Sequence, residues 1–159
     1  MKKGVIGVVS LLAGAASGAL GVKHVEKKKV MTEREYANKH LALYKMMTQW
    51  VKVKQQGKSL ASFFEDNNYK KIAIYGMSYA GETLVEELKD SDIQIAYGID
   101  NNANSMCTDV DVITMDGDIK EVDAIIVTAI TFFDEIEEEL CMKVDCPIIS
   151  LEDILYEVL

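Results

Sequence analysis

The stretch KKIAIYGMSYAGETLVEELKDSDIQIAYGID, Lys70 to Asp100, decides the fold. KIAIY is a continuous apolar run of the kind that forms a central parallel strand covered on both faces. A turn flanked by Gly76 and Gly81 follows, then a helical segment, then a second strand that closes on Asp100. Strand, glycine turn, helix, strand and terminal acid are the parts of a dinucleotide-binding unit. One part departs from the G-x-G-x-x-G fingerprint: in GMSYAG, Ser78 stands where the middle glycine belongs.

Each glycine of that fingerprint has its own task. Gly76 supplies the tight turn off the strand and Gly81 the close packing of helix on strand. Ser78 puts a Cβ where backbone should approach a pyrophosphate, although its hydroxyl can donate to one. The amides of Ser78 to Gly81, Tyr79 among them, lie at a helix N-terminus, where the dipole favours an anion. Asp100 stands 24 residues after Gly76, close to the ~20-residue spacing of the acid that takes the ribose hydroxyls. An acid there repels a 2′-phosphate, so NAD or a nucleotide sugar is expected rather than NADP, with Asn101 and Asn102 near the ribose. The alternative for Asp100 is a turn former ahead of Asn-Asn. The expected binding residues are Gly76, Ser78, Tyr79, Gly81 and Asp100.

Downstream, a weak strand DVITM (111–115), the strand DAIIVTAI (123–130), the helix TFFDEIEEEL (131–140) with Thr131 as its cap, the strand CPIIS (146–150) and a terminal helix capped by Ser150 and Asp153 follow in turn. Strands alternating with helices imply a parallel sheet with right-handed crossovers. NNANSMCTDV is too short for a full crossover helix. The expected fold class is therefore α/β, an abbreviated Rossmann-type parallel sheet of five strands in order 3-2-1-4-5. It occupies residues 58–159 and begins with a short helix from Ser59 that turns Leu60, Phe63 and Phe64 inward.

Upstream lie two other segments. Residues 1–31 hold GVIGVVSLLAGAASGALGV (4–22), which has no charge across 19 residues. As a helix it would reach about 28 Å at 1.5 Å per residue, enough for a bilayer core. Ser10, Gly14 and Gly18 recur every four residues, a small-xxx-small pattern that lets membrane helices approach closely. The other reading is a cleaved signal peptide, with Lys2 and Lys3 as its basic start and Ser17-Gly18-Ala19 as its cleavage site. As an anchor, the segment has its basic excess on the C-terminal side: Lys23, Lys27, Lys28, Lys29, Arg34 and Lys39. This predicts a single-pass protein of the cell membrane with a cytoplasmic body and a juxtamembrane KHVEKKK resting on anionic headgroups. Residues 32–57 then form a long amphipathic helix, opened by the capping box of Thr32 and Glu35 and stopped at Gly57. Tyr36, His40, Leu43, Tyr44, Met47, Trp50 and Val51 share one face of it. That face implies a partner, either the globular domain or the same helix of a second chain, so a homo-oligomer through the membrane helix and helix 32–57 is one expectation.

Charge divides the chain in the same place. Residues 1–58 hold 12 Lys/Arg and 3 Asp/Glu, whereas 59–159 hold 5 and 23. The acidic part offers no lysine-rich face to phosphates, which argues against nucleic acid. Cys107, Cys141 and Cys146 form no C-x-x-C pair, so reduced thiols are expected, and no metal site. No catalytic residue is expected either. No lysine stands four residues after any tyrosine, so the Tyr-x-x-x-Lys pair of sugar epimerases is absent. The histidines, His24 and His40, lie outside residues 58–159. Thr128 and Thr131 are candidates for ligand binding or helix capping at the same crevice.

IAIYGMSYAG, IAYGIDNNA, VDAIIVTAI and CPIISLEDIL together resemble the small Rossmann-like domains of bacterial surface-glycan enzymes. These stand at the N-terminus of sialic-acid-type nucleotide-sugar acyltransferases and beside polysaccharide sugar dehydratases. The resemblance implies a glycine turn that binds the nucleotide part of NAD(P) or of a nucleotide sugar. It covers about two-thirds of the chain, and no acyltransferase or dehydratase domain follows. Three functions compete: a membrane-tethered nucleotide-binding module accessory to surface-polysaccharide synthesis, a minimal oxidoreductase or nucleotide-sugar modifying enzyme completed by a partner, and a non-binding scaffold.

Overall fold

A computed structural model of the chain describes residues 32–105 and 108–159. The expected span at 4–22 and Cys107 lie outside them. Among the described residues no helix is long and apolar enough to cross a membrane. The chain divides into two units, Met1–Leu41 and Ala42–Leu159. In the first, the described residues 32–41 are helical and mostly exposed. In the second the same helix, α1 (32–55), continues to a stop at Gly57, whose φ of +70° suits a residue without Cβ.

Five strands follow: β1 (Lys71–Tyr75), β2 (Gln94–Ile99), β3 (Val112–Ile113), β4 (Ala124–Val127) and β5 (Ile148–Ser150). They form one sheet in the order β3-β2-β1-β4-β5, with every pairing parallel. The order and direction are those expected. β1 is central, pairing Tyr75 with Ile99 on one side and with Val127 on the other. The register slips once, between Ile72 and Ala73, where β2 carries an extra residue.

Period two along β1 sends Ile72 and Ile74 to one face and Ala73 and Tyr75 to the other. The first face is covered by α1, by α2 (Ala61–Asp66), by α3 (Tyr79–Leu88) and by α5 (Leu151–Val158). These bring Met46, Trp50, Val53, Leu60, Phe64, Leu84, Leu88, Leu151, Ile154 and Leu155 together, each almost wholly buried. At about 1.5–3 kcal/mol per buried large apolar side chain, this face supplies much of the folding free energy. The second face is covered by α4 (Phe133–Leu140), through Ile136 and Leu140.

Several local expectations need correction. The apolar stripe read on α1 is not its inward face: Met46, Trp50 and Val53 are buried, while Tyr36, Leu43, Tyr44, Met47 and Val51 are exposed. Only Trp50 belongs to both sets. The helix carries two neighbouring apolar faces, and counting apolar residues alone selected the longer, outer one. Thr131 does not cap α4. It lies inside a 3-10 turn, Ile130–Phe132, and Phe132 takes the cap position without a side-chain bond. Ser150 does cap α5, its Oγ accepting from Glu152 N at 3.3 Å. Strand β3 is reduced to two residues.

Candidate functional site

The turn between β1 and α3 is built by close approach. Gly76 has a φ of +91°, and its N–H continues the ladder to Ile99 O at 2.9 Å. A Cβ on Gly76 would stand 2.7 Å from Thr128 Oγ1, and one on Gly81 would overlap the carbonyl oxygen of Gly76. Both glycines are therefore required by sterics, whatever the turn holds. Met77 is buried, with its Cγ only 2.6 Å from where a Cβ on Gly98 would lie. Met77 thus pins the turn onto β2, and Gly98 makes room for it. Sequence reading passed over this pair, since a Met-Gly contact 21 residues apart has no periodic signature.

Asp100 closes the same turn from β2. Its Oδ2 accepts from Met77 N and its Oδ1 from Asn102 N, both at 2.9 Å. A carboxylate accepting two amides is a strong structural clamp. Each oxygen keeps further lone pairs for an outside donor. Thr128 is buried, and its hydroxyl donates to the carbonyl oxygens of Tyr75 and Gly76. Thr128 caps no helix, since Ala129 and Phe132 hold the cap positions that follow; it fastens β4 to the end of β1.

Beside this turn lies a crevice of about 380 Å³ at the C-terminal ends of β1, β2 and β4. Gly76, Ser78 and Asp100 line it, as do Asn101 and Asn102. Gly81 sits beneath, against Gly76. Tyr79 is 88 % exposed and is not among the lining residues. Ser78 precedes α3 in extended conformation, and its side chain makes no capping bond, so the hydroxyl stays uncommitted to the helix. The other wall comes from Tyr75, Ala129, Phe132, Glu135, Ile136 and Glu139. None of these was singled out from sequence. The signal available was the spacing of Glu135 and Glu139, four residues apart and hence on one side of α4.

The electrostatics are mixed. The first turn of α3 offers amides and a partial positive charge. Against it stand Asp100, Glu135 and Glu139, and among the described residues no Lys or Arg lines the crevice. The Tyr75 phenol is pushed above its ordinary range, first by burial and then by the charges of Glu139 and Asp100. It therefore remains a neutral donor at physiological pH. Among the described residues no group of His, Cys, Asp and Glu could hold a metal ion. Cys141 and Cys146 are free thiols, and burial pushes that of Cys146 up, away from reactivity.

The turn, the crevice and α4 all fall within one segment that a known family shares. Neither the curated proteins nor the solved structures contain a match to the chain. The family model described as C2185-like, N-terminal, matches residues 68–147, half of the chain, and the chain belongs to that family.

Proposed function

We propose that the chain is a Rossmann-like nucleotide-binding module, with NAD or a nucleotide sugar as its ligand. The carrying observation is the β1–α3 turn. Gly76 and Gly81 bring helix and strand into contact, and the turn opens on a crevice where the sheet order reverses between β1 and β4. Open α/β sheets bind ligands at such switch points. The first-turn amides of α3 and the Ser78 hydroxyl meet the phosphate, and Tyr75 donates to a sugar or ribose oxygen. The crevice lies at the low end of small-molecule site volumes, so it holds a nucleotide portion and leaves the remainder outside. The anchor expected at residues 4–22 places this module on the cytoplasmic face of the cell membrane. The resemblance to surface-glycan enzymes supports a role accessory to polysaccharide synthesis there.

A second reading, a scaffold that binds no nucleotide, is supported by one observation. Glu135 and Glu139 face the same space as Asp100, with no basic residue among the described residues of the lining to balance them. Calorimetry on the full chain in detergent, against NAD, NADP and uridine diphosphate sugars, separates the two. The binding module gives micromolar to millimolar affinity that Ser78→Glu abolishes by placing a carboxylate on the phosphate amides. Glu135→Gln with Glu139→Gln strengthens it severalfold. No heat with any nucleotide, in the parent or the double variant, establishes the scaffold.

A further inference from the structure

The second face of the sheet carries a groove of about 480 Å³ that shares no lining residue with the crevice. It reaches the starts of the strands, where Lys71 opens β1 and Gln94 opens β2, whereas the crevice lies at their C-terminal ends. Ala96, Tyr97 and Ile113 give it an apolar floor. The chain between β3 and β4 walls it. A Cβ on Gly117 would stand 3.2 Å from Ile113 Cβ, so this wall begins against β3. Lys120 O then accepts from the Tyr97 hydroxyl of β2 at 2.6 Å, and Glu121 O accepts from Lys71 Nζ of β1 at 3.1 Å. Ile119 and Val122 fix the segment in the core of that face.

That path sorts the charges that line the groove. Asp111 precedes β3 and Asp118 follows Gly117, so both acids stand toward β3. Lys71 begins β1, and Lys120 adjoins the carbonyl that Lys71 holds, so both ammonium groups stand toward β1. Among the described residues, none of the four has an oppositely charged partner at ion-pair distance. β1 and β3 are two strand spacings apart, about 10 Å. A ligand with an ammonium at one end and a carboxylate at the other meets both edges at once. A ligand of a single sign gains one edge and is repelled by the other. A dipeptide, at about 3.3–3.6 Å per residue, spans about 7 Å, which leaves room for the side chains of each edge. We propose that the groove binds a dipeptide with free termini. Its ammonium lies toward Asp111 and Asp118, its carboxylate toward Lys71 and Lys120, and its side chains rest on Tyr97 and Ile113. This holds whether or not the crevice takes a nucleotide.

Saturation-transfer NMR titrations of the full chain in detergent micelles test this, with alanyl-alanine as the probe. The free dipeptide is expected to bind with micromolar to millimolar affinity. Its N-acetylated and C-amidated forms each lose one charge and should bind at least about threefold more weakly, as exposed ion pairs allow. Free alanine, too short to meet both edges, should also bind more weakly. Two double variants then assign the ends. In Lys71→Gln with Lys120→Gln, the free and amidated dipeptides should bind alike. In Asp111→Asn with Asp118→Asn, the free and acetylated dipeptides should bind alike. All four side chains are exposed, so both variants should melt as the parent does. A parent chain that gives no transfer to alanyl-alanine overturns the proposal. Equal binding of the free and blocked forms, or of alanine and the dipeptide, overturns it as well. A preference that survives its matching double variant places the peptide on another surface and has the same force.

Discussion

The two faces of the sheet are finished differently. Four helices lie over Ile72, Ile74, Ala124 and Ile126, whereas α4 lies over Ala73, Tyr75, Ile125 and Val127. The cause is a crossover. Between β2 and β3 the described residues form a 3-10 turn at Ala103–Ser105 and no α-helix, although a parallel connection usually carries one. The second face is therefore open on both sides of α4. One opening is the crevice by Gly76, and the other runs along Tyr97 between Lys71 and Lys120. Access to the candidate site follows from the lack of an α-helix among the described residues between β2 and β3. It does not require a cavity carved into a finished core.

The largest effect should come from stripping the sealed face. A chain that starts at residue 58 loses Met46, Trp50 and Val53, all buried. At about 1.5–3 kcal/mol each, the loss is comparable to the whole stability of a domain, about 5–15 kcal/mol. Urea titration followed by circular dichroism should show a cooperative transition for residues 42–159 and none for 58–159. A cooperative transition in the shorter chain would mean that the sealed face does not depend on α1.

The open face should respond more mildly. Asp100→Ala leaves the amides of Met77 and Asn102 without their carboxylate, and should cost about 2 kcal/mol. Asp100→Asn should cost less, because one carbonyl oxygen still accepts. If the urea midpoint of Asp100→Ala equals that of the parent, the clamp adds nothing and the acid serves a ligand alone.

The smallest effect is confined to alkaline pH. Burial, Glu139 and Asp100 raise the Tyr75 phenol above its unfolded value, so the folded state holds that proton longer than the unfolded chain does. Stability from this group is complete below about pH 10 and is lost as pH rises through the folded value. Thermal melts from pH 8 to 11 should fall less steeply for Tyr75→Phe than for the parent. Tyr97, raised by burial in the same direction, should account for part of the remaining decline. Superimposable curves would show that Tyr75 is freely solvated.

Strand order and direction were legible because KIAIY and DAIIV announce buried strands, and because the short link after Asp100 limited where β3 could sit. The roles of Gly76 and Gly81 were legible for a similar reason: a turn with that spacing leaves few geometries. The inner face of α1 was not. Met46 and Val53 lie among residues that are apolar on both sides, and only the shape of the domain selects between them. Nor could sequence reveal that Thr128 bonds the end of β1, or that Asp100 is held by Met77 N. Those bonds join residues 52 and 23 positions apart, and no local pattern encodes them.

The way the sealed face is assembled has a consequence for how the protein is made. Its core takes Met46, Trp50 and Val53 from one end of the unit and Leu151, Ile154 and Leu155 from the other. Lys58 Nζ fastens the two ends, donating to Val158 O across 100 residues of sequence at 2.8 Å. A core of such long-range contacts forms slowly, because loop closure precedes its reward. During synthesis α1 and α2 leave the ribosome first and wait, with Trp50, Phe63 and Phe64 uncovered, until α5 has been translated. In that interval the nascent chain is most exposed to aggregation and to chaperones.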